Sequence, residues 1–143
     1  MVRGDGPGHL VAHWSALHAL FCGATAEAIG LYLRAARVHR THGHHAAQLT
    51  CLFQLAMAQT YDGRRDDALK ACARVVEMAG QHGERWNKAS ALWVSGLAHF
   101  HLGRLGSAVD AANGVLERIL DTLGVHSRTQ VVSWLHTHEA PRV

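Results

Sequence analysis

Residues 46–83 read AAQLTCLFQLAMAQTYDGRRDDALKACARVVEMAGQHG, and their pattern predicts the architecture of the chain. Both of its halves repeat apolar residues at the three- and four-residue spacing of an amphipathic helix. Asp62-Gly63 separates the halves, because glycine tolerates the left-handed backbone conformation of a helix C-terminus. Asp66 and Asp67 then open the second half, where negative charge suits the helix dipole. The stretch predicts two helices joined by a tight turn, and no strand. The two apolar stripes consist of Leu49, Leu52, Phe53, Ala56 and Met57, and of Ala68, Leu69, Cys72, Val75, Val76 and Ala79.

The same pattern recurs every 40 residues, which is the spacing from Gly23 to Gly63 and again from Gly63 to Gly103. One aligned column is glycine, and five positions later a second column is alanine. A repeat of this length is typical of helix pairs stacked into a solenoid. The small column indicates that two helices cross closely there, so Ala68→Leu and Ala108→Leu should each cost about 1–3 kcal/mol of stability through overpacking. The columns are Gly23, Gly63 and Gly103, and Ala28, Ala68 and Ala108.

These patterns predict an all-α, tetratricopeptide-like right-handed superhelix, with three antiparallel helix pairs and one extra C-terminal helix. A flexible tail, residues 1–8, should precede a single domain, residues 9–143. The repeats are 11–50, 51–90 and 91–130, followed by a half repeat, 131–143. The predicted helices are 9–22, 25–41, 46–61, 65–81, 87–101, 105–122 and 127–138.

The composition narrows the classes of partner. The net charge of +3 is mild and the arginines are spread over all blocks, so we expect no direct nucleic-acid binding. No run reaches the roughly 18 apolar residues of a membrane-spanning helix, so no membrane interaction is expected. Cys22, Cys51 and Cys72 are odd in number and dispersed, which favours small core residues in a reducing, cytoplasmic compartment over disulfides.

Aromatic and basic side chains give the first candidate binding residues. Trp86 and Trp93 are seven positions apart and so share one face of a helix, and Trp14 lies in the first helix. Arg34 and Arg37 share a face of the second helix. The alternatives are that the tryptophans pack between repeats and that the arginines are simply solvated. We predict these five residues as the ligand- or partner-binding set.

The 13 histidines suggest a metal-binding alternative. His42, His44 and His45 lie close together after His39, at a helix end where a turn could bring imidazoles together, and imidazole suits zinc, nickel or copper. However, His42 recurs in the next block as His82, which makes it a feature of the repeat near a helix C-terminus. A structural role for these histidines is therefore favoured over a metal site.

Motifs for catalysis are missing from the sequence. It contains no GxSxG, no phosphate-binding loop ending in GK[ST], and no HExxH. The sequence therefore predicts a protein that is not an enzyme and that carries no cofactor.

A family resemblance lies between the second and third blocks. The residues that carry it are Cys72, Gly83-Glu84-Arg85-Trp86, Ser90-Ala91-Leu92-Trp93, Gly96-Leu97-Ala98, Gly103 and Ala108. This string resembles the tetratricopeptide-like region of large actinobacterial LuxR-type regulators, which are similar in build to MalT- and AfsR-like regulators.

The resemblance spans residues 51–124 and implies a sensory or scaffold role in transcription regulation and signal transduction. In that family an ATPase precedes the repeats and a DNA-binding helix-turn-helix often follows them; neither is present in this sequence. Val125 also stands where the family usually has aspartate.

The predicted function is recognition of a protein, a peptide or a small effector on a concave face lined by the first helix of each pair. The alternative is a histidine-rich, metal-responsive protein. The last predicted helix should expose Val131, Val132, Trp134 and Leu135 on a half repeat that lacks its second helix. We expect that end to pair with a second copy as a homodimer.

Overall fold

The computed structural model describes residues 8–124, which form six helices and no strand. An all-α fold is thus confirmed for this part of the chain, and each helix boundary lies within two residues of its predicted position. The predicted seventh helix lies outside the described residues, as does the predicted tail apart from Gly8. The helices are α1 (Gly8–Phe21), α2 (Thr25–Thr41), α3 (His45–Tyr61), α4 (Arg65–His82), α5 (Arg85–His101) and α6 (Leu105–Leu123).

Turns of two or three residues join the helices, and their glycines are evenly spaced from Gly23 to Gly103. All five of these glycines have φ between 69° and 85°, which side chains rarely adopt. In each turn the amide of the residue after the glycine donates to the carbonyl five positions earlier, as Arg64 does to Gln59 at 2.8 Å. This bond satisfies a carbonyl that the helix end would leave unpaired. The chain therefore reverses at a regular interval.

Each helix packs against the next one in the chain. In addition, α3 packs against α5, and α1 touches α3, whereas α2, α4 and α6 do not contact one another. In the described part of the chain, α1, α3 and α5 thus form a row.

The small-residue columns lie where paired helices meet. Ala28 and Ala68 are fully buried, but Ala108 is only half-buried. At the third crossing, a Cβ added to Gly96 would lie 3.3 Å from the Cβ of Ala111, tighter than most real Cβ contacts. Close approach of paired helices therefore explains the small residues.

Two predictions about the core need correction. Cys51 and Cys72 are buried as expected, but Cys22 is exposed, because it lies in the turn after α1 rather than inside the helix. The suggestion that tryptophans pack between repeats is also wrong for Trp14, Trp86 and Trp93, all of which are exposed.

Candidate functional site

A groove of about 1020 Å³ lies between α5 and α6. We call it the α5–α6 groove. Its walls follow helical spacing, with Trp86, Ser90 and Trp93 on α5 and Val115 and Thr122 on α6. It is lined by Phe53, Arg85, Trp86, Ala89, Ser90, Trp93, Val115, Arg118, Ile119, Asp121 and Thr122.

Large apolar side chains face solvent along this groove. Trp86 is 75% exposed, Trp93 is 52% exposed and Ile119 is 47% exposed. Contiguous exposed apolar surface of this kind commonly marks a binding site, and tryptophan is enriched among residues that contribute most to binding. The groove therefore has the chemistry of an interaction surface.

Ionic side chains border the apolar floor. Arg85 and Asp121 are exposed at the groove and Arg118 is half-buried in it. Two basic groups against one acidic group give the lining a small excess of positive charge, which favours a ligand with acidic side chains beside its apolar surface.

An internal comparison shows what such a groove accommodates. The residues one repeat before the groove residues of α5 and α6 belong to α3 and α4, and α5 packs against both of those helices. There Phe53 and Val75 occupy the positions of Trp93 and Val115, and both are buried. The corresponding earlier face therefore accommodates a helix, whereas no helix within residues 8–124 covers the groove.

The predicted binding residues divide between separate places. Trp86 and Trp93 line the α5–α6 groove together. Trp14 lies on α1 beside a different cavity, of about 560 Å³. Arg34 and Arg37 are exposed on α2, outside both linings. Val131, Trp134 and Leu135, predicted for self-association, lie outside the described residues.

The predicted histidine cluster does not converge on one point. The rings of His42 and His44 are stacked with centroids 5.9 Å apart, and His42 Nδ1 donates to the carbonyl of Val38 at 2.9 Å. His45 instead stacks on His82, with centroids 4.5 Å apart. Within the described residues, His42, His44 and His45 are not grouped closely enough to hold one ion.

A different group does bring three metal-binding side chains together. One ligand atom each from His13, His39 and Cys51 lies within 4.8 Å of the others, and these residues come from α1, α2 and α3. His39 and Cys51 are buried and His13 is half-buried. Burial raises the pKa of the Cys51 thiol to about 12. Sequence reasoning missed this group because its members are widely separated along the chain and form no short motif.

The thiol of Cys22, which the sequence predicted to be a core residue, lines the cavity beside Trp14. Cys22 Sγ lies 3.6 Å from His18 Nε2, and both side chains line this cavity with Glu27. The thiol can donate to the imidazole. Cys22 is exposed, whereas Cys51 and Cys72 are buried, so Cys22 is the accessible cysteine among the described residues. Its location in a turn, four positions after His18, was the available signal.

Comparisons with protein-family models and with curated proteins find no match for the chain. None of the six helices is long and apolar enough to cross a membrane.

Proposed function

We propose that the chain is a helical-repeat interaction module and that its α5–α6 groove binds an amphipathic helix of a partner protein. Its repeats would stack as a right-handed, tetratricopeptide-like superhelix. The regular turn glycines and the row formed by α1, α3 and α5 support this arrangement. The observation that carries the proposed function is the pair of exposed tryptophans over an apolar floor.

A helix is the favoured ligand because the chain contains its own example of such binding. α5 packs against α3 and α4, the helices whose positions recur in the groove, and the buried residues of α5 include Ala91, Val94 and Ala98. A bound helix would present apolar residues at similar three- and four-residue spacing, which is the usual pattern for a helix in a groove. Acidic residues flanking that stripe would meet Arg85 and Arg118.

The proposal includes a sensory or scaffold role without catalysis. The resemblance of residues 51–124 to LuxR-type regulators supports such a role. A gene neighbourhood that encodes an ATPase and a helix-turn-helix beside this reading frame would strengthen the relation. We expect no ATP hydrolysis and no specific binding of duplex DNA. A hydrolysis rate that a single substitution abolishes would contradict this part of the proposal.

A peptide selection on the full chain tests the groove. A display library of helix-length peptides, with random apolar residues at helical spacing, would be selected on the immobilised protein. Dissociation constants would then be measured by fluorescence anisotropy. Trp86→Ala and Trp93→Ala should each weaken the selected peptide at least tenfold, because exposed tryptophans in an apolar groove contribute strongly to binding.

Trp14→Ala is the matched control, since Trp14 is 67% exposed, between Trp93 and Trp86, but lies outside the groove; the affinity should stay within twofold. Equal loss with all three variants would contradict a groove-specific site. Trp134→Glu tests whether the chain's own residues 127–138 occupy the groove. Peptide binding that occurs only in this variant would assign the groove to the chain's own residues 127–138 and overturn partner binding.

A further inference from the structure

The core between α1, α2 and α3 contains polar side chains where the next core is apolar. Five positions hold histidine, tyrosine, cysteine or glutamine in the first core, but only apolar or thiol side chains one repeat later. Burying a polar group is costly unless it gains a partner, and the second core shows that helix packing does not require these groups. The positions are His13, Tyr32, His39, Cys51 and Gln54, against Phe53, Cys72, Ala79, Ala91 and Val94.

A hydrogen bond sets the tautomer and the ring orientation of His13. Its Nε2–H donates to Gln54 Oε1 at 2.8 Å, so the proton resides on Nε2. The lone pair of Nδ1 then faces the Cys51 Sγ, which is 3.7 Å away. A histidine held from behind by an amide oxygen is the usual arrangement around a bound metal, because it sets both tautomer and ring orientation.

His39 provides the third ligand. Its ring lies edge-on to that of His13, with centroids 6.2 Å apart, and its ligand atom is within 4.8 Å of those of His13 and Cys51. Tetrahedral zinc with Zn–S of about 2.3 Å and Zn–N of about 2.0 Å separates a sulfur from a nitrogen ligand by about 3.5 Å and two nitrogen ligands by about 3.3 Å. The Cys51–His13 pair already has nearly the first spacing, at 3.7 Å, and a shift of up to about 1.5 Å brings His39 to both spacings.

We propose that His13, His39 and Cys51 form a zinc-binding site in the first core. One thiolate and two imidazoles suit a borderline-soft divalent ion. On binding, Zn²⁺ replaces the proton of the Cys51 thiol. That proton passes to solvent, and no electron is transferred. The fourth position is left for water. The hydroxyl of Tyr32 is buried beside His13, has no hydrogen-bond partner among the described residues, and offers that water a partner.

A series of imidazoles connects this site to the surface. The ring of His44 lies 5.9 Å from that of buried His39, and exposed His42 lies 5.9 Å from His44. Surface imidazoles can capture a metal ion and pass it to a neighbouring ligand set. His42 and His44 thus become an entry path rather than the site itself.

Titration of the full, reduced chain with zinc chloride tests the site. Calorimetry should show one Zn²⁺ per chain. Cys51→Ala and His39→Ala should each weaken binding at least 100-fold, because each removes one of three protein ligands. These substitutions introduce the residues found one repeat later, Ala91 and Ala79, which are buried in the second core. If Cys51→Ala fails to fold, Cys51→Ser provides the same removal of sulfur with less change in volume.

Cys72→Ala and His45→Ala are matched controls, since they remove a buried thiol and a surface histidine outside the site, and affinity should stay within twofold. Co²⁺ gives a second readout that needs no variant: wild type should show a thiolate-to-cobalt charge-transfer band. Either wild type without zinc binding, or zinc bound equally by Cys51→Ala with no thiolate band, would overturn the site.

Discussion

The α3–α4 face that α5 covers and the α5–α6 groove occupy equivalent positions of one repeat, but their side chains differ in size and exposure. Ala79, 2% exposed on the covered face, corresponds to Ile119, 47% exposed at the groove. Phe53, buried on the covered face, corresponds to exposed Trp93. The backbone pattern alone therefore does not determine whether a face is buried or exposed; the presence of a covering helix does.

The largest contrast should come from the aromatic pair at equivalent positions. Phe53→Ala removes a buried ring and should cost about 3–5 kcal/mol of stability. Trp93→Ala removes a half-exposed ring and should cost less than about 1 kcal/mol. Urea unfolding followed by circular dichroism measures both values. Similar losses for the two variants would mean that Trp93 is covered in solution, and the comparison would fail.

The reactivity of the three thiols should also distinguish buried from exposed positions. Burial raises the pKa of Cys72 and of Cys51 to about 12 each, so at pH 8 both are neutral thiols shielded from reagent. Exposed Cys22 should react with a thiol reagent at least 100-fold faster than Cys51 or Cys72. Ellman's reagent should report one thiol in the native chain and three in urea. Three fast thiols in the native chain would contradict the packing of both cores.

Overpacking tests the helix crossings. Ala68→Leu should destabilise by about 1–3 kcal/mol, because Ala68 is fully buried. The sequence alone predicts the same cost for Ala108→Leu, but Ala108 is half-buried, so we expect a smaller loss. Thermal unfolding of both variants gives the difference. Equal losses would indicate that the α5–α6 pair is as tightly enclosed as α3–α4.

The smallest expected effect concerns the residues after Gly124. If the predicted C-terminal helix pairs two copies, Trp134→Glu should shift the protein toward monomer with little change in its helical content. Light scattering over a range of concentrations measures this. A wild-type chain that is monomeric at high concentration would refute the predicted dimer.

Much of this fold could be predicted from local pattern. Gly63 and Gly83 mark helix ends because positive φ is a backbone requirement that sequence displays directly. Exposure of Trp86 and Trp93 could not be predicted, since a helical stripe looks the same whether or not another helix covers it. The group of His13, His39 and Cys51 was missed for a related reason: its atoms meet only after three helices pack together.

Hydrogen–deuterium exchange of the full chain, with and without a selected helical peptide, tests the binding groove most directly. We predict added protection at residues 85–93 of α5 and 115–122 of α6, with α1 and α2 unchanged. Protection confined to α1 and α2, or spread evenly over all helices, would contradict the groove as the binding surface.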